Sequence, residues 1–112
     1  IISRRRMVNG ASPNVVHSLD ASALHETVVR ANKNHGIYDF SFIHDSYGTH
    51  SNTCDQLSST LREVFVDFFS RDLLNEWRTQ LTEQHPDLDF PVPPEFGDAE
   101  INKIKESTYF FS

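Results

Sequence analysis

The sequence has little of several features that would assign it to a familiar class of protein. Its single cysteine, Cys54, cannot form a disulfide within the chain, fits a reducing compartment and is predicted to be a small buried residue. No apolar run approaches the ~20 residues that span a bilayer, and residues 1–6 lack the apolar core of a signal peptide. The sequence therefore predicts a soluble protein with no membrane partner and no recognisable targeting signal.

A surplus of basic residues is also lacking. The net charge is -6, whereas a free-standing nucleic-acid-binding module usually carries positive charge that displaces counterions from phosphates. The charge is uneven, because the first 35 residues carry five Lys and Arg against two Asp and Glu, and the remainder carries five against fourteen. Phosphate contacts are therefore expected in the N-terminal third, where Arg4, Arg5 and Arg6 form either such contacts or a solvated basic segment.

What the sequence does contain suits one modest globular domain. Of its 112 residues, 38% are hydrophobic and 12% are aromatic, which is enough to build a core. There are no internal repeats. The chain starts without methionine and without a periodic pattern, as expected for a segment of a longer protein.

The first strong pattern predicts a long helix. Ser12 is a candidate N-cap, Pro13 suits the first helical position, and Gly36 is a natural stop after the last turn. An apolar stripe with helical spacing lies between them and consists of Val16, Leu19, Ala23, Val28 and Ala31.

A β-hairpin is predicted next. Residues 38–43 are rich in aromatic and β-branched side chains, which favour a strand that enters the core. Asp45 follows at or beside the hairpin tip, residues 46–48 supply turn chemistry around Tyr47, and Thr49 begins the return strand.

Two further helices are predicted to pack on this hairpin. The first begins at Asn52 or Thr53, and its apolar face consists of Leu57, Leu61, Val64, Phe65 and Phe68. The second carries Leu73, Leu74, Trp77 and Leu81. It is either bent from the first helix or capped anew at Ser70, and both arrangements remain open.

The last part of the chain predicts little regular structure. Residues 86–97 contain four prolines and form an extended loop, after which Asp98 can cap a short helix. The three consecutive aromatic residues at 109–111 require burial. The predicted fold is therefore α+β, with a long helix, a β-hairpin that carries Asp45, and further helices packed on it.

Asp45 is the sharpest candidate for a functional side chain. A carboxylate at a hairpin tip can bind a divalent cation in a fixed direction, although a turn aspartate can equally bond its own backbone. His44 precedes it as a possible phosphate contact. Because neighbours on a strand point to opposite faces, His44 and Asp45 are not expected to ligate the same ion.

Two other constellations are weaker. His17 and Asp20 lie three residues apart on the first helix, with Ser18 between them. The three residues suggest a Ser-His-Asp set of a hydrolase, and the alternative is a solvated His-Asp pair. Ser18 falls on a different helical face, which weakens the hydrolase interpretation. A zinc site built from His44, His50 and Cys54 lacks the paired spacing of structural zinc sites.

Two segments carry a family resemblance. Residues 12–22, SPNVVHSLDAS, and residues 43–49, IHDSYGT, resemble the C-terminal part of the single-subunit RNA polymerases of phages and mitochondria. The spacing of these segments, the helix around residues 61–63 and the aromatic C-terminus extend the likeness over the whole chain. The resemblance implies that residues 1–112 form the last part of the polymerase palm, with a proline-rich loop at 86–97 and a C-terminal foot at 107–112.

The resemblance also implies roles for particular residues. Asp45 matches the second of the two catalytic aspartates, which hold two Mg²⁺ ions for nucleotidyl transfer. His17 matches a histidine near the minor-groove side of the active-site base pair that helps to recognise the ribonucleotide. His44 and Tyr47 flank the metal-binding position as substrate or nucleic-acid contacts. The implied partners are a DNA template, nascent RNA, ribonucleoside triphosphates and the remainder of the polymerase.

Several family motifs lie outside these residues, including the first catalytic aspartate and the groups that meet the triphosphate and the sugar. The isolated chain is therefore expected to be inactive. Arg6-Met7 replaces a lysine-glutamine pair of the family, and Gly48 favours the phage members, in the cytoplasm of a bacterial host. A mitochondrial origin is the alternative, because the STYFFS ending resembles the mitochondrial members.

Two other classes of function remain open. A small metal-dependent phosphohydrolase built on His44 and Asp45 would need further ligands that converge in space. A non-catalytic interaction module would use the aromatic tail as a docking element, and it has no reason to place His17 and Asp45 on one concave surface.

Overall fold

The computed structural model describes residues 2–110 and contains three α-helices and one small sheet in that range. Helix α1 spans Arg4–His35, strands β1 and β2 span Ser41–Ile43 and Ser46–Gly48, and helices α2 and α3 span Cys54–Phe69 and Leu73–Gln84. Short 3-10 helices lie at Ser51–Thr53 and Ile101–Lys105. The two strands pair antiparallel. This order confirms the α+β prediction of a long helix, a hairpin and further helices.

Helix α1 begins earlier than the Ser12 cap predicted. It starts at Arg4, with the Met7 amide donating to the Ser3 carbonyl, and it runs through Pro13. Residues 4–7 are good helix formers, so the helix extends across the proline although Pro13 cannot donate a backbone hydrogen bond. The start signal at Ser12 is therefore overridden by the residues before it.

The end of α1 confirms the prediction at Gly36. This residue has φ +64°, the left-handed conformation that glycine adopts without steric cost. Its amide donates to the Asn32 carbonyl at 2.9 Å, and the Asn32 side chain donates to the Ile37 carbonyl at 3.0 Å. The chain is thereby turned from the helix toward the hairpin.

Small side chains form the packed face of α1. Ala23, Thr27 and Ala31 are each fully buried, and they lie four residues apart on one side of the helix that packs on α2. The Thr27 hydroxyl donates to the Ala23 carbonyl at 2.8 Å, which satisfies it inside its own helix. The sequence predicted the two alanines but missed Thr27, and it wrongly placed Val16, which is half exposed, on this face.

The buried face of α2 agrees with the prediction at Leu57, Leu61 and Val64, whereas the predicted Phe65 and Phe68 are only half-buried. Its buried residues are Leu57, Thr60, Leu61, Val64 and Val66. Ile37 joins Leu57 and Ala31 in a core cluster, against which Phe40 and Tyr47 of the hairpin region pack. The hairpin is therefore attached to the same core that joins α1 to α2.

A new cap separates α3 from α2. Helix α2 ends at Phe69, and the Asp72 carboxylate accepts from the Asn75 amide at 3.3 Å to begin α3. The capping residue is thus Asp72, not Ser70. The Ser70 hydroxyl instead donates to the carbonyl of Val66 in the preceding turn.

Residues 85–100 contain neither helix nor strand. The Arg78 side chain holds this segment by donating to the Phe90 carbonyl at 3.1 Å. The short helix that follows is a 3-10 helix after Glu100, so the prediction of an Asp98 cap was wrong. Arg62 of α2 holds the end of the chain, where it donates to the carbonyls of Ile104 and Ser107.

The described residues are more extended than a compact domain. Their radius of gyration is 17.4 Å, whereas a compact domain of this length has about 13 Å. Many large apolar side chains are exposed, among them Met7, Val8, Tyr38, Ile43, Trp77, Val92 and Phe96. None of the helices in residues 2–110 is both long and apolar enough to cross a membrane.

Candidate functional site

Asp45 lies in the two-residue loop of the hairpin. Ile43 pairs with Ser46, so His44 and Asp45 form the entire connection between the strands. His44 has φ +55°, and histidine and aspartate tolerate this left-handed region better than most residues. The prediction of Asp45 at the tip agrees with this loop, whereas the turn assigned to residues 46–48 was wrong, because those residues form β2.

Aromatic contacts fix the hairpin behind this loop. Phe42 and Tyr47 are cross-strand partners whose ring centroids lie 5.2 Å apart in an edge-to-face arrangement. Phe40 stacks on Phe42 at 5.3 Å. At Gly48 a β-carbon would lie 3.3 Å from the Ser41 carbonyl oxygen, so the strands approach closely there. The loop that carries Asp45 therefore rests on a tightly paired base.

The hairpin loop and α1 enclose one cavity of about 470 Å³, here called the loop cavity. Its lining residues are His17, Asp20, Ala21, Leu24, Phe42, His44, Asp45, Tyr47 and Phe65. All four of the residues selected from the sequence as site residues, His17, His44, Asp45 and Tyr47, thus lie on one concave surface. His44 and Asp45 lie in a two-residue loop, where strand alternation does not apply, so the expectation that they do not ligate the same ion stays a prediction.

The loop cavity is electrostatically negative near Tyr47. Burial raises the pKa of the Tyr47 phenol, and the negative charges of Asp20 and then Asp45 raise it further. Asp20 is therefore a cavity residue and not only a solvated neighbour of His17. Its spacing of three residues from His17, which puts both on one face of α1, was the signal for this position.

Neither of the weaker constellations is assembled. Ser18 lines a separate groove beside α3, and its hydroxyl donates to the Asn14 carbonyl at 2.8 Å, so it does not meet His17 in the loop cavity. Cys54 is exposed, not buried as predicted, and its thiol lies 3.5 Å from the His50 carbonyl. Within residues 2–110 no three His, Cys, Asp or Glu side chains converge to hold a metal ion.

The C-terminal segment lies against α2 beside the hairpin. The Phe110 ring is half-buried and meets Phe65 edge-on at 5.3 Å. Phe110 also lines a second cavity of about 240 Å³, here called the tail cavity, together with Asp45, Ser46 and Tyr47. Tyr109 is exposed, so burial of the aromatic tail holds only for Phe110 among the described residues. Phe111 and Ser112 lie outside the described residues.

Comparison with known proteins identifies relatives of the whole chain. A DNA-directed RNA polymerase 1A of Nicotiana tabacum is 39% identical over 108 residues, which cover 96% of this chain and 68% of that protein. The mitochondrial DNA-directed RNA polymerase 1 of Arabidopsis thaliana is 37% identical over 111 residues. These cover 99% of this chain but 11% of that relative, so the chain spans about a ninth of its length.

A third relative is the chloroplastic/mitochondrial DNA-directed RNA polymerase 2 of Arabidopsis thaliana, at 39% identity over 108 residues. The prediction of a phage-encoded protein in a bacterial host is not borne out, because these relatives are plant polymerases named as mitochondrial or chloroplastic. The family model of DNA-dependent RNA polymerase matches residues 1–88. The resemblance seen in the two sequence segments is thereby confirmed, and the chain belongs to the DNA-dependent RNA polymerase family.

Proposed function

We propose that the chain is the C-terminal part of the palm of a DNA-directed RNA polymerase, where it contributes to template-directed nucleotidyl transfer. The observation that carries this proposal is the shared surface of His17 and Asp45. One comes from a helix and the other from a hairpin loop, and both line the loop cavity. A protein without a site here would have no need to bring these two polar side chains to one concave surface.

Asp45 is the proposed metal ligand. Its carboxylate is exposed on the cavity wall at the end of a tightly paired hairpin, which fits one ligand of a Mg²⁺ site and not a complete ligand set. The other ligands must therefore come from the remainder of the polymerase. When bound, a pair of Mg²⁺ ions would stabilise charge on the attacking and leaving oxygens of nucleotidyl transfer.

The neighbouring side chains would position the substrates. His17 offers an imidazole from the α1 wall, opposite the hairpin loop, where it can donate to a base or ribose of the nascent pair. His44, which also lines the loop cavity, would contact a phosphate. Tyr47 would donate a hydrogen bond from its phenol, whose pKa is raised by burial and by the charges of Asp20 and Asp45.

The partners of the whole protein would be a DNA template, nascent RNA, ribonucleoside triphosphates and the remainder of the polymerase chain. Exposed apolar residues such as Trp77 and Val92 support that last partner, since they leave surface for other parts of the polymerase to cover. We place the protein in the mitochondrion on the strength of its organellar relatives. Imaging of the full-length polymerase as a fluorescent fusion would test this, and an exclusively cytosolic signal would contradict it.

Primer extension by the full-length polymerase tests the function. We expect Asp45→Asn to lower the rate of nucleotide addition by about 10³-fold or more, because it removes the charge that would hold the metal. Asp39→Asn is the matched control, since Asp39 is also an exposed carboxylate of the hairpin region but lies outside the loop cavity. Equal rates for the two variants would refute the role of Asp45.

The isolated 112-residue chain provides the complementary test. It holds one proposed metal ligand and no converging group of three in its described part, so we expect no nucleotide addition by the chain alone. Extension of a primer by the isolated chain that is lost in Asp45→Asn would show that the chain is a complete catalyst.

A further inference from the structure

The geometry points to Arg62 as a positioning residue of the Asp45 site: it holds the C-terminal segment on α2 so that Phe110 supports the hairpin that carries Asp45. This inference rests on the proposed function for its catalytic consequence. Its structural part stands by itself, since it concerns contacts between α2 and the C-terminal segment, and the tail cavity between that segment and the hairpin.

One side chain makes the long-range attachment. Arg62 Nη1 donates to the carbonyl of Ile104 at 2.9 Å and to that of Ser107, across sequence separations of 42 and 45 residues. Its guanidinium carbon also lies 5.4 Å from the centroid of the Phe110 ring, within cation–π distance. Because Arg62 is half-buried, these bonds are less screened than those of a surface arginine.

Among the described residues of the attached segment, Phe110 lies near the site. Phe110 packs edge-on against Phe65, which lines the loop cavity with Asp45. Phe110 also lines the tail cavity, whose walls include Asp45, Ser46 and Tyr47. The ring therefore faces the strand that follows Asp45 across this cavity, and its loss would enlarge the space beside the hairpin.

The guanidinium plane is what distinguishes arginine at this position. A lysine ammonium has three N–H donors and could bond both carbonyls, but it has no planar group to lie over the Phe110 ring. Arg62 lies in α2, whereas the carbonyls that it bonds belong to Ile104 and Ser107, more than 40 residues later in the sequence. Through Arg62, the geometry of the hairpin loop is therefore proposed to depend on the C-terminal segment.

The kinetic test uses the full-length polymerase and single-turnover nucleotide addition. We expect Arg62→Met, which keeps an apolar stem but no donor, to lower the rate constant by about 10- to 100-fold, since misplacement of a catalytic group by about 1 Å has this cost. The burst amplitude, which counts active molecules, should stay unchanged. A variant that merely unfolds part of the molecules would lower the amplitude and leave the rate constant as it was.

Arg78→Met is the matched control. Arg78 is also a half-buried arginine that donates to a backbone carbonyl far along the chain, that of Phe90, but it lies on α3 away from both cavities. We expect its rate constant to stay within about twofold of the unaltered enzyme. Arg62→Lys should recover part of the lost rate, because it retains the charge and N–H donors but not the planar group over the Phe110 ring.

A double-mutant cycle tests the route through the ring. Phe110→Leu should slow nucleotide addition, whereas Tyr109→Leu should not, because the Tyr109 side chain is exposed. If Arg62 acts through Phe110, combining Arg62→Met with Phe110→Leu will be little worse than either change alone. Fully additive effects would overturn the proposed route.

Amide hydrogen exchange separates this inference from the proposed function. In Arg62→Met the amides of β1 and β2 should exchange about tenfold faster, and in Arg78→Met they should not. If the unaltered protein adds no nucleotides, the proposed function fails, and the exchange result still decides whether Arg62 supports the hairpin. Unchanged exchange in Arg62→Met, or an unchanged rate constant in an active polymerase, would overturn the inference.

Discussion

The left-handed conformation of His44 leads to a quantitative expectation. At φ +55° a residue with a β-carbon loses about 1–2 kcal/mol relative to right-handed backbone. His44→Gly removes this penalty but gives the unfolded chain more freedom, which offsets about 0.4–1 kcal/mol. His44→Ala keeps the penalty and loses the imidazole. The glycine variant should therefore be more stable than the alanine variant by about 0.8 kcal/mol, with His44→Asn between them.

Urea unfolding followed by circular dichroism measures this difference. The hairpin contributes to the transition because Tyr47 packs against the core cluster of Ala31, Ile37 and Leu57. All three variants lack the imidazole, so in the polymerase they should slow nucleotide addition to similar extents despite their different stabilities. Equal stabilities of the glycine and alanine variants would show that residue 44 does not hold a left-handed conformation.

Three further expectations follow from burial and charge. Val64→Ala removes two methylene equivalents from a fully buried site and should lower the free energy of unfolding by about 2 kcal/mol. The control Val29→Ala, at an exposed site, should change the free energy of unfolding by less than about 0.5 kcal/mol. Asp20→Asn should lower the pKa of Tyr47, measured by tyrosinate absorbance, because it removes a nearby negative charge; no change would place the carboxylate away from the phenol. The stabilising contribution of the raised Tyr47 pKa should be complete below the unfolded value of about 10 and should be lost as pH rises through the folded pKa, as measured by unfolding across alkaline pH.

Local signals in the sequence located much of the fold. Gly36 ends α1 because its left-handed conformation is a property of the residue itself, and the spacing of Leu57, Leu61 and Val64 locates the buried face of α2. The start of α1 was missed because Ser12 and Pro13 favour a helix start only when the preceding residues do not already form a helix. The helix propensity of residues 4–7 outweighed the start signal of Ser12 and Pro13.

The site was predicted less completely than the fold. His17, His44 and Asp45 were candidates from the helix and hairpin patterns, and the family resemblance gave roles to them and to Tyr47, but nothing in their spacing fixes the cavity that they line. The turn was misplaced because non-glycine residues rarely adopt positive φ, so His44 gave no sign of its conformation. Arg62 was missed as an anchor because its partners lie 42 and 45 residues away, beyond any local pattern.

The small buried face of α1 has a consequence for the proposed site as well as for packing. His17 and Asp20 are on the same rigid helix as Ala23, Thr27 and Ala31, so the seating of those three residues on α2 sets how far the histidine stands from the hairpin loop. A slip of one helical turn at that interface would carry His17 about 5.4 Å along the helix axis. Bulky replacements of the buried alanines should therefore change the distance between His17 and the hairpin loop. Such replacements should alter the proposed substrate recognition although the alanines themselves touch no nucleotide.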